Sequence, residues 1–583
     1  MHERDIIFYY IMGIRMKFSN IKIKNFRNFE CIDIDLENRN IIFGLNDVGK
    51  SNFLSAFRYV FDREIRKNNF IDTDYFQKNT FNPIELIVTI AINEETEDVK
   101  KLRAKMKGAI SSNDDKVYIK LVASYDSKEM VGIPSLLWGG NINHLEEMKY
   151  NKALYYEIDH IFNPIFIDSY VDMYNLFKKN TKKLLNLDAE NEEDKEILDS
   201  INDIIDNLND KIGLLSGIKK FEEDIAPEYQ DFKEEEISIS IKSEIAIKGL
   251  YSNLIPYIRQ GVDERLYPTS GDGRKKILAY SIFSMLSLLT DENKINLFFI
   301  EEPENHLHRS MQLTLSKTLF VKSKFQYLFL TTHSPYILSE IDNVNLIRIY
   351  NKDKITSNSA IYKVPDDYKK LKKVLNENLV EALFCDNVLL VEGPSEKVLF
   401  SKIFGELMPN YESKGIYILP VNGFGFEPYF RLLDKLNINN VIKTDNDLRK
   451  IPKKNEYSVL GFNRINNWIN NEEFKLPTNT VGGDSIECKI QLYNNNIEML
   501  NLIRKKFGIY LSKCSLEEDL DEIIHDEMCG YLEEADGNPI DFLKKYKHKN
   551  MVLLSEKLTK EDCIKIYNSY NFECLKEVLE HVD

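Results

Sequence analysis

From Met16 onward the chain alternates apolar and polar residues: Ile21 and Ile23, then Ile32, Ile34 and Leu36, with polar residues between them. That period of two predicts half-buried strands. Ile41-Ile42-Phe43 is instead a continuous apolar run, as in a strand buried on both faces, and it leads into residues 44–51. Phe53, Leu54, Phe57 and Val60 then recur at helical spacing. Strand patterns return at 84–92 and 117–123. Near residue 165 the pattern changes. Ile201, Ile204, Ile205, Leu208, Ile212 and Leu215 follow a helical period inside a highly charged stretch. Residues 165–235 are therefore expected to form a helical insertion. Its single apolar stripe must be buried, either against a second copy in a dimer or as a lid over its own domain.

Strand and helix patterns resume at 236–350. Leu297-Phe298-Phe299-Ile300 runs into Glu301-Glu302-Pro303, and Tyr327-Leu328-Phe329-Leu330 runs into Thr331-Thr332-His333. After a linker at 351–385, a fresh strand–turn–helix unit begins at Val388 and opens a C-terminal domain over 386–583. Residues 1–15 form an upstream extension. Its apolar run, 6–12, is too short to span a bilayer and lacks the cleavage pattern of a signal peptide.

Composition narrows the classes. The 583 residues predict about three to four domains at roughly 150 residues each. An apolar share of 43% and a charged share of 29% exclude a disordered chain and a multispan membrane protein. Lys and Arg number 77 against 93 Asp and Glu, a net charge of −16, so nucleic acid could be held only through local basic patches or bridging metal ions. The seven cysteines form no C-x-x-C pair, which fits reduced thiols in a cytoplasmic protein.

Two constellations carry chemistry. Residues 44–51 fit G-x-x-x-x-G-K-[ST] between a predicted strand and a predicted helix. Gly44, Asn46, Gly49, Lys50, Ser51 and Asn52 are the candidate phosphate loop, with Lys50 reaching phosphate and Ser51 ligating Mg2+ beside ATP. Glu301 and Glu302 close the next buried strand, where such a site needs one acid near the metal and one to orient water; His333 ends the strand after it. Ser270, in Ser270-Gly271-Asp272-Gly273-Arg274-Lys275-Lys276, is a second phosphate contact.

In the C-terminal half, Val388-Leu389-Leu390-Val391 ends in Glu392, with Glu396 four residues on, and Val441-Ile442-Lys443-Thr444 ends in Asp445-Asn446-Asp447. In a parallel sheet the carboxyl ends of the strands gather at one edge. Acids gathered there repel one another unless a divalent cation intervenes. The acids of Leu516-Glu517-Glu518-Asp519-Leu520 would serve a second metal, and a lysine of the basic run 544–549 would meet a scissile phosphate. Arg504-Lys505-Lys506 and that run are the expected DNA footprint.

The order phosphate loop, helical insertion, Ser-Gly-x-Gly, Glu-Glu, Thr-His resembles the ABC-type ATPases of DNA repair and chromosome maintenance. Glu301 stands where Asp is usual, and the SGDGRKK segment departs from LSGGQ. Strand–Glu-Gly–helix followed by strand–D-x-D resembles the Toprim domain. Together they resemble the OLD (overcoming lysogenization defect) family of nucleases. MKFSNIKIKNFRNFE, GLNDVGKSNFL, YPTSGDGRKK, IEEPENHLHRSMQ, TTHSP, VEGPSEK and IKTDND are similar to the nuclease subunits of Gabija anti-phage systems within it.

The resemblance implies an α/β protein: an ABC-type ATPase domain (16–164 and 236–350) interrupted by the insertion and followed by a Toprim domain. It implies a nucleotide-regulated endonuclease that nicks double-stranded DNA, with Mg2+ or Mn2+ at Glu392, Asp445 and Asp447; Glu517 or Asp519 matches the family's later acid and Lys545 or Lys547 its lysine, with Asp519 and Lys547 expected to act. A homotetramer built through dimers and a UvrD-like helicase subunit are the partners it implies. The rival classes are an ATP-dependent DNA sensor that does not cut, a stand-alone OLD nuclease, and a topoisomerase or primase. For the last, no tyrosine-bearing cleavage domain and no zinc-ribbon cysteine spacing is apparent.

Overall fold

The structure, a computed structural model, describes residues 16–93, 96–106, 108–111, 113–149, 156–169, 192–221, 294–320, 325–341, 344–353, 356–363, 377–422, 425–532 and 538–580, with positions 177, 223, 278, 281 and 282. The extension 1–15, Ser270 with its basic segment, most of 236–293 and the middle of the expected linker lie outside them.

The alternating N-terminal residues form β1 (Lys17–Phe26) and β2 (Phe29–Asp35), and the apolar run forms β3 (Arg39–Phe43). Helix α1 (Lys50–Phe61) follows the phosphate loop. β4 (Ile84–Ala91), β5 (Lys116–Asp126), β6 (Val131–Asn141) and β7 (His144–Glu147) complete an antiparallel sheet in the order β2-β1-β4-β5-β6-β7. Between this sheet and the nucleotide sheet lies an aromatic core. Phe57 of α1 stands 4.1 Å from Phe329, and Phe18 meets Phe57, Phe61 and Phe329 within 6 Å. Each such ring, fully buried, stabilises the fold by about 1.5–3 kcal/mol.

The nucleotide sheet adds β8 (Phe162–Ile167), β9 (Ile295–Glu301), β10 (Tyr327–Thr332), β11 (Asn345–Asn351) and β12 (Ser357–Lys363) in the order β12-β11-β3-β10-β9-β8. All its pairings are parallel except β11 with β12. Two strands depart from the sequence-based boundaries. β8 crosses the expected start of the insertion at 165; its Phe-Asn-Pro-Ile-Phe-Ile text carries Pro and Asn and hides the apolar run. β12 lies in the expected linker, disguised by its polar residues.

The described part of the insertion contains α2 (Glu192–Gly213). Its stripe is divided: Ile205 is buried, whereas Ile204, Leu208 and Leu215 are 65%, 46% and 58% exposed.

The C-terminal sheet is wholly parallel, in the order β14-β13-β15-β18: β13 (Asn387–Val391), β14 (Ile416–Pro420), β15 (Asn439–Thr444) and β18 (Ile509–Leu511). A hairpin of β16 (Leu448–Lys450) and β17 (Tyr457–Val459) follows β15. One continuous apolar core joins the two parallel sheets, running from Ile41, Phe43 and Leu330 through Leu379 and Leu383 to Val388 and Leu390. Phe43, the last residue of β3, lies 5.6 Å from Phe384, three residues before β13.

Arg348 ties the same junction. Its buried guanidinium donates to the Leu436, Asn437 and Cys385 carbonyls and pairs with Asp386 at 2.6 Å. Arg348→Met orphans these carbonyls and is expected to cost about 3 kcal/mol. Calorimetry should show a melting temperature several degrees lower; an unchanged melting curve would mean that the junction is held by apolar packing alone.

Candidate functional site

At the nucleotide edge, β3, β9, β10 and β8 deliver the phosphate loop, Glu301-Glu302, Thr332-His333 and Asp168 to the same end of the sheet. Gly44 and Gly49 have φ of 150° and 102°, in the region that favours glycine. A side chain on Gly44 would run into the Ile349 carbonyl oxygen, and one on Gly49 into the Asn28 amide. Lys50 is buried, and its Nζ donates to the Leu45 carbonyl at 2.6 Å. Burial pushes its pKa down to about 8, against the opposing pull of Glu302, Glu304, Asp47 and Glu301. Among the described residues no carboxylate forms an ion pair with this ammonium, which suits it to meet a phosphate.

Glu301 lies beside Ser51, and its carboxyl is raised by burial. Glu302 takes a strained φ of 42° and receives His333 Nε2 at 2.6 Å. Asn46 is exposed on the loop. Asn52 is turned to the scaffold, held by Arg27 and Asn28, each at 2.9 Å. Sequence reasoning missed three supports. Glu304 is buried and accepts from the Thr332 hydroxyl and the His333 N–H. Asn28 and Ser357 both donate to the Val48 carbonyl and so prop the loop. The x-x-x-x positions of the motif carry no trace of these long-range partners.

At the carboxyl edge of the C-terminal sheet, β13 ends in Glu392 and passes through Gly393 into α3 (Pro394–Leu407), whose first turn carries Glu396. β15 ends in Asp445 and Asp447. β18 leads into α4 (Leu516–Tyr531), whose first turn carries Glu517. Glu392, Glu396, Asp445, Glu517, Lys547 and His548 line one cavity of about 310 Å3. Glu392 Oε1 accepts from the Thr444 hydroxyl at 2.7 Å and from the Asp445 N–H at 3.0 Å. Arg464 bridges Glu392 and Asp447 at 3.3 and 3.0 Å.

Burial, with Glu392, Glu396, Asp447 and Glu517 around it, holds the Asp445 carboxyl well above the usual carboxylate range. Glu396 is pushed up to about 7 by burial and by Glu392 and Glu517. Among the described residues no three His, Cys, Asp or Glu groups form a preassembled cage. The donors nevertheless fit a hard divalent cation, because all are carboxylate oxygens and their mutual repulsion demands positive charge among them.

Asp519 faces elsewhere. Two positions along a helix rotate by about 200°, so Glu517 and Asp519 point to opposite sides of α4. Asp519 pairs with Lys443 at 2.9 Å, the two side chains being 1% and 3% exposed, and accepts the Lys513 N–H at 3.1 Å. It is a buried anchor outside the cavity, contrary to the expectation that it holds a metal, and Glu517 lines the cavity instead. Lys547 lines the cavity, whereas Lys545 stacks on Tyr546. Arg504-Lys505-Lys506 does not adjoin the acids. Arg504 is buried against Tyr493 and Tyr570, and Lys505 and Lys506 line a cleft with Asn439 and Gly508 at the opposite end of the strands. Arg464 was missed because it belongs to no strand-end motif.

A phosphate-loop sheet sharing its core with an acid-edged parallel sheet defines an ATPase–Toprim protein of the OLD nuclease class. Residues 383–447 match the TOPRIM domain of overcoming lysogenization defect protein-like proteins, and residues 16–190 and 161–338 match the AAA ATPase domain. Endonuclease GajA of Bacillus cereus (strain VD045) is 43% identical over 576 residues, covering 97% of this chain and 99% of that protein. The OLD nuclease of Thermus scotoductus (strain ATCC 700910 / SA-01) is 26% identical over 197 residues, 32% of this chain and 37% of that one. The solved C-terminal region of the Burkholderia pseudomallei OLD protein shares 17% identity at a TM-score of 0.25, covering 34% of this chain and 99% of that one. The chain belongs to the GajA endonuclease family: it is an endonuclease with an attached ATPase domain. Among the described residues no helix is long and apolar enough to cross a membrane.

The two faces of α4 give opposite expectations. Asp519→Asn leaves Lys443 buried without its counter-charge and is expected to destabilise the fold by about 3 kcal/mol. Glu517→Gln removes one of the like charges around Asp445 and should leave metal-free stability unchanged or higher. Denaturant unfolding in EDTA checks both; a larger loss for Glu517→Gln would reverse the assignment.

Proposed function

We propose that this endonuclease nicks double-stranded DNA at the Toprim edge with Mg2+ or Mn2+, that nucleotide at the phosphate loop sets the rate, and that its setting is anti-phage defence in the cytoplasm. The observation that carries the reading is the convergence of Glu392, Asp445, Asp447 and Glu517 at one sheet edge, with Lys547 and His548 lining the same cavity as Glu392, Asp445 and Glu517. Glu392, Glu396, Asp445, Asp447 and Glu517 would hold the ions. Bound there, divalent ions supply a deprotonated water and charge stabilisation for phosphodiester hydrolysis. Thr444 and the Asp445 N–H orient Glu392; Lys547 meets the phosphate. Asp519 acts through Lys443 to fix the end of β15.

At the other site, Lys50 and the loop N–H groups would bind the phosphates of ATP, Ser51 and Glu301 its Mg2+, and Glu302 with His333 a water; Ser270 of a second subunit would complete the pocket. The shared core supports coupling: the Phe43–Phe384 contact ties the phosphate-loop strand, and the Arg348 clamp its neighbour β11, to the segment that leads into β13. The exposed residues of α2 support self-association through the insertion, with a tetramer as the assembly. The likeness to GajA brings with it a UvrD-like helicase partner.

Purified protein, supercoiled plasmid and Mg2+ or Mn2+ test the site. EDTA should abolish nicking. Glu392→Gln should lower it roughly a hundredfold or more with gel-filtration elution unchanged, and full cleavage by that variant would remove this edge as the cleavage site. ATP should change the nicking rate of the native protein and not of Lys50→Ala. An equal response in both would end the coupling claim.

A further inference from the structure

Arg464 is fixed directly on the nuclease acids. It sits in α5 (Leu460–Ile469), which the β16–β17 hairpin delivers across the carboxyl edge of the sheet. The first turn of this helix is locked to the acid loop. The Gly461 N–H donates to the Asp447 carbonyl at 3.1 Å, and a Cβ on Gly461 would lie 3.1 Å from the Asp445 carbonyl oxygen, so only a very small residue permits this approach. Phe462 and Ile465 are buried and set the rotation of the helix. Arg464, one turn on from Gly461, is thereby aimed at the acids. Its Nη1 is 3.3 Å from Glu392 Oε1 and its Nη2 is 3.0 Å from Asp447 Oδ2. Among the described residues, Glu396, Asp445 and Glu517 form no ion pair with Lys or Arg.

Resting on the metal-dependent reading above, we propose that Arg464 is a positioning residue, a resident counter-ion that holds Glu392 and Asp447 in register and competes with divalent cations for Asp447. A guanidinium and a divalent ion repel, and both want the same carboxylate oxygen, so Arg464 must release Asp447 Oδ2 when an ion binds there. Its side chain is 30% exposed, which leaves it room to turn. Released, the planar fork has a phosphate oxygen as its natural alternative partner. The site would thus exchange an internal ion pair for ions and substrate together. It would also avoid the like-charge strain that five bare carboxylates impose on the fold.

The test is Mn2+ binding to the full-length protein without nucleotide or DNA, followed by the EPR signal of free Mn2+. Arg464→Gln removes the competitor and should tighten Mn2+ binding roughly fivefold, the weight of a half-exposed ion pair of about 1 kcal/mol. Its melting temperature in EDTA should fall by a few degrees relative to the native protein, and saturating Mn2+ should close that gap. Arg464→Lys keeps the charge and loses the fork, so its affinity should lie between the two. General damage to the site would weaken binding in both variants; weaker or unchanged binding in Arg464→Gln and Arg464→Lys overturns the counter-ion role. If the native protein binds Mn2+ and only the variants fail to differ, the metal reading stands and this inference falls. If native protein and variants all bind none, both fall.

Discussion

The repulsion among carboxylates at the end of a parallel sheet is the constraint on which the C-terminal half of this molecule depends. Parallel strands buried on both faces bring their carboxyl ends to one edge. Here that geometry places Glu392, Asp445 and Asp447 side by side, and α4 adds Glu517. The raised proton affinity of Asp445 and Glu396 is the direct electrostatic consequence. The fold contains part of the answer in Arg464, and one guanidinium cannot neutralise five acids. The remainder comes from protons on the raised acids or, on the proposed reading, from divalent ions that displace them.

The same architectural rule operates twice in the chain. At the N-terminal edge the strand ends deliver a phosphate loop with a buried lysine, two glutamates and a histidine. At the C-terminal edge they deliver acids. The first edge invites an anion and the second a cation. Because both sheets draw on one apolar core, a displacement at Phe43 has a short mechanical route to Phe384 and β13. Such a route is a contiguous packed element; whether it transmits a signal depends on both ligands biasing the same arrangement.

How much of this was legible in the sequence follows from the chemistry of each element. Buried parallel strands are unbroken apolar runs, so Ile41–Phe43, Leu297–Ile300 and Val388–Val391 announced themselves, and the residues that follow them mark the two candidate sites. β8 and β12 did not, because Pro164, Asn163 and the serines of β12 mask their burial. Glu517 and Asp519 differ by two positions, and nothing local says which side of α4 faces the cavity; the buried partner Lys443 settles it from 76 residues away. Arg504 read as part of a basic patch, yet Tyr493 and Tyr570 enclose it. Arg464 carries no motif at all. Its role exists only because a small residue, Gly461, lets α5 approach the acid loop.

The most direct measurement is anomalous diffraction from crystals of the protein soaked in Mn2+. The account predicts at least one manganese peak among Glu392, Asp445, Asp447 and Glu517, with carboxylate oxygens at roughly 2–2.6 Å as expected for hard divalent cations, and Arg464 withdrawn from Asp447. Crystals that bind no manganese at this edge, with Arg464 still bridging Glu392 and Asp447, would contradict it.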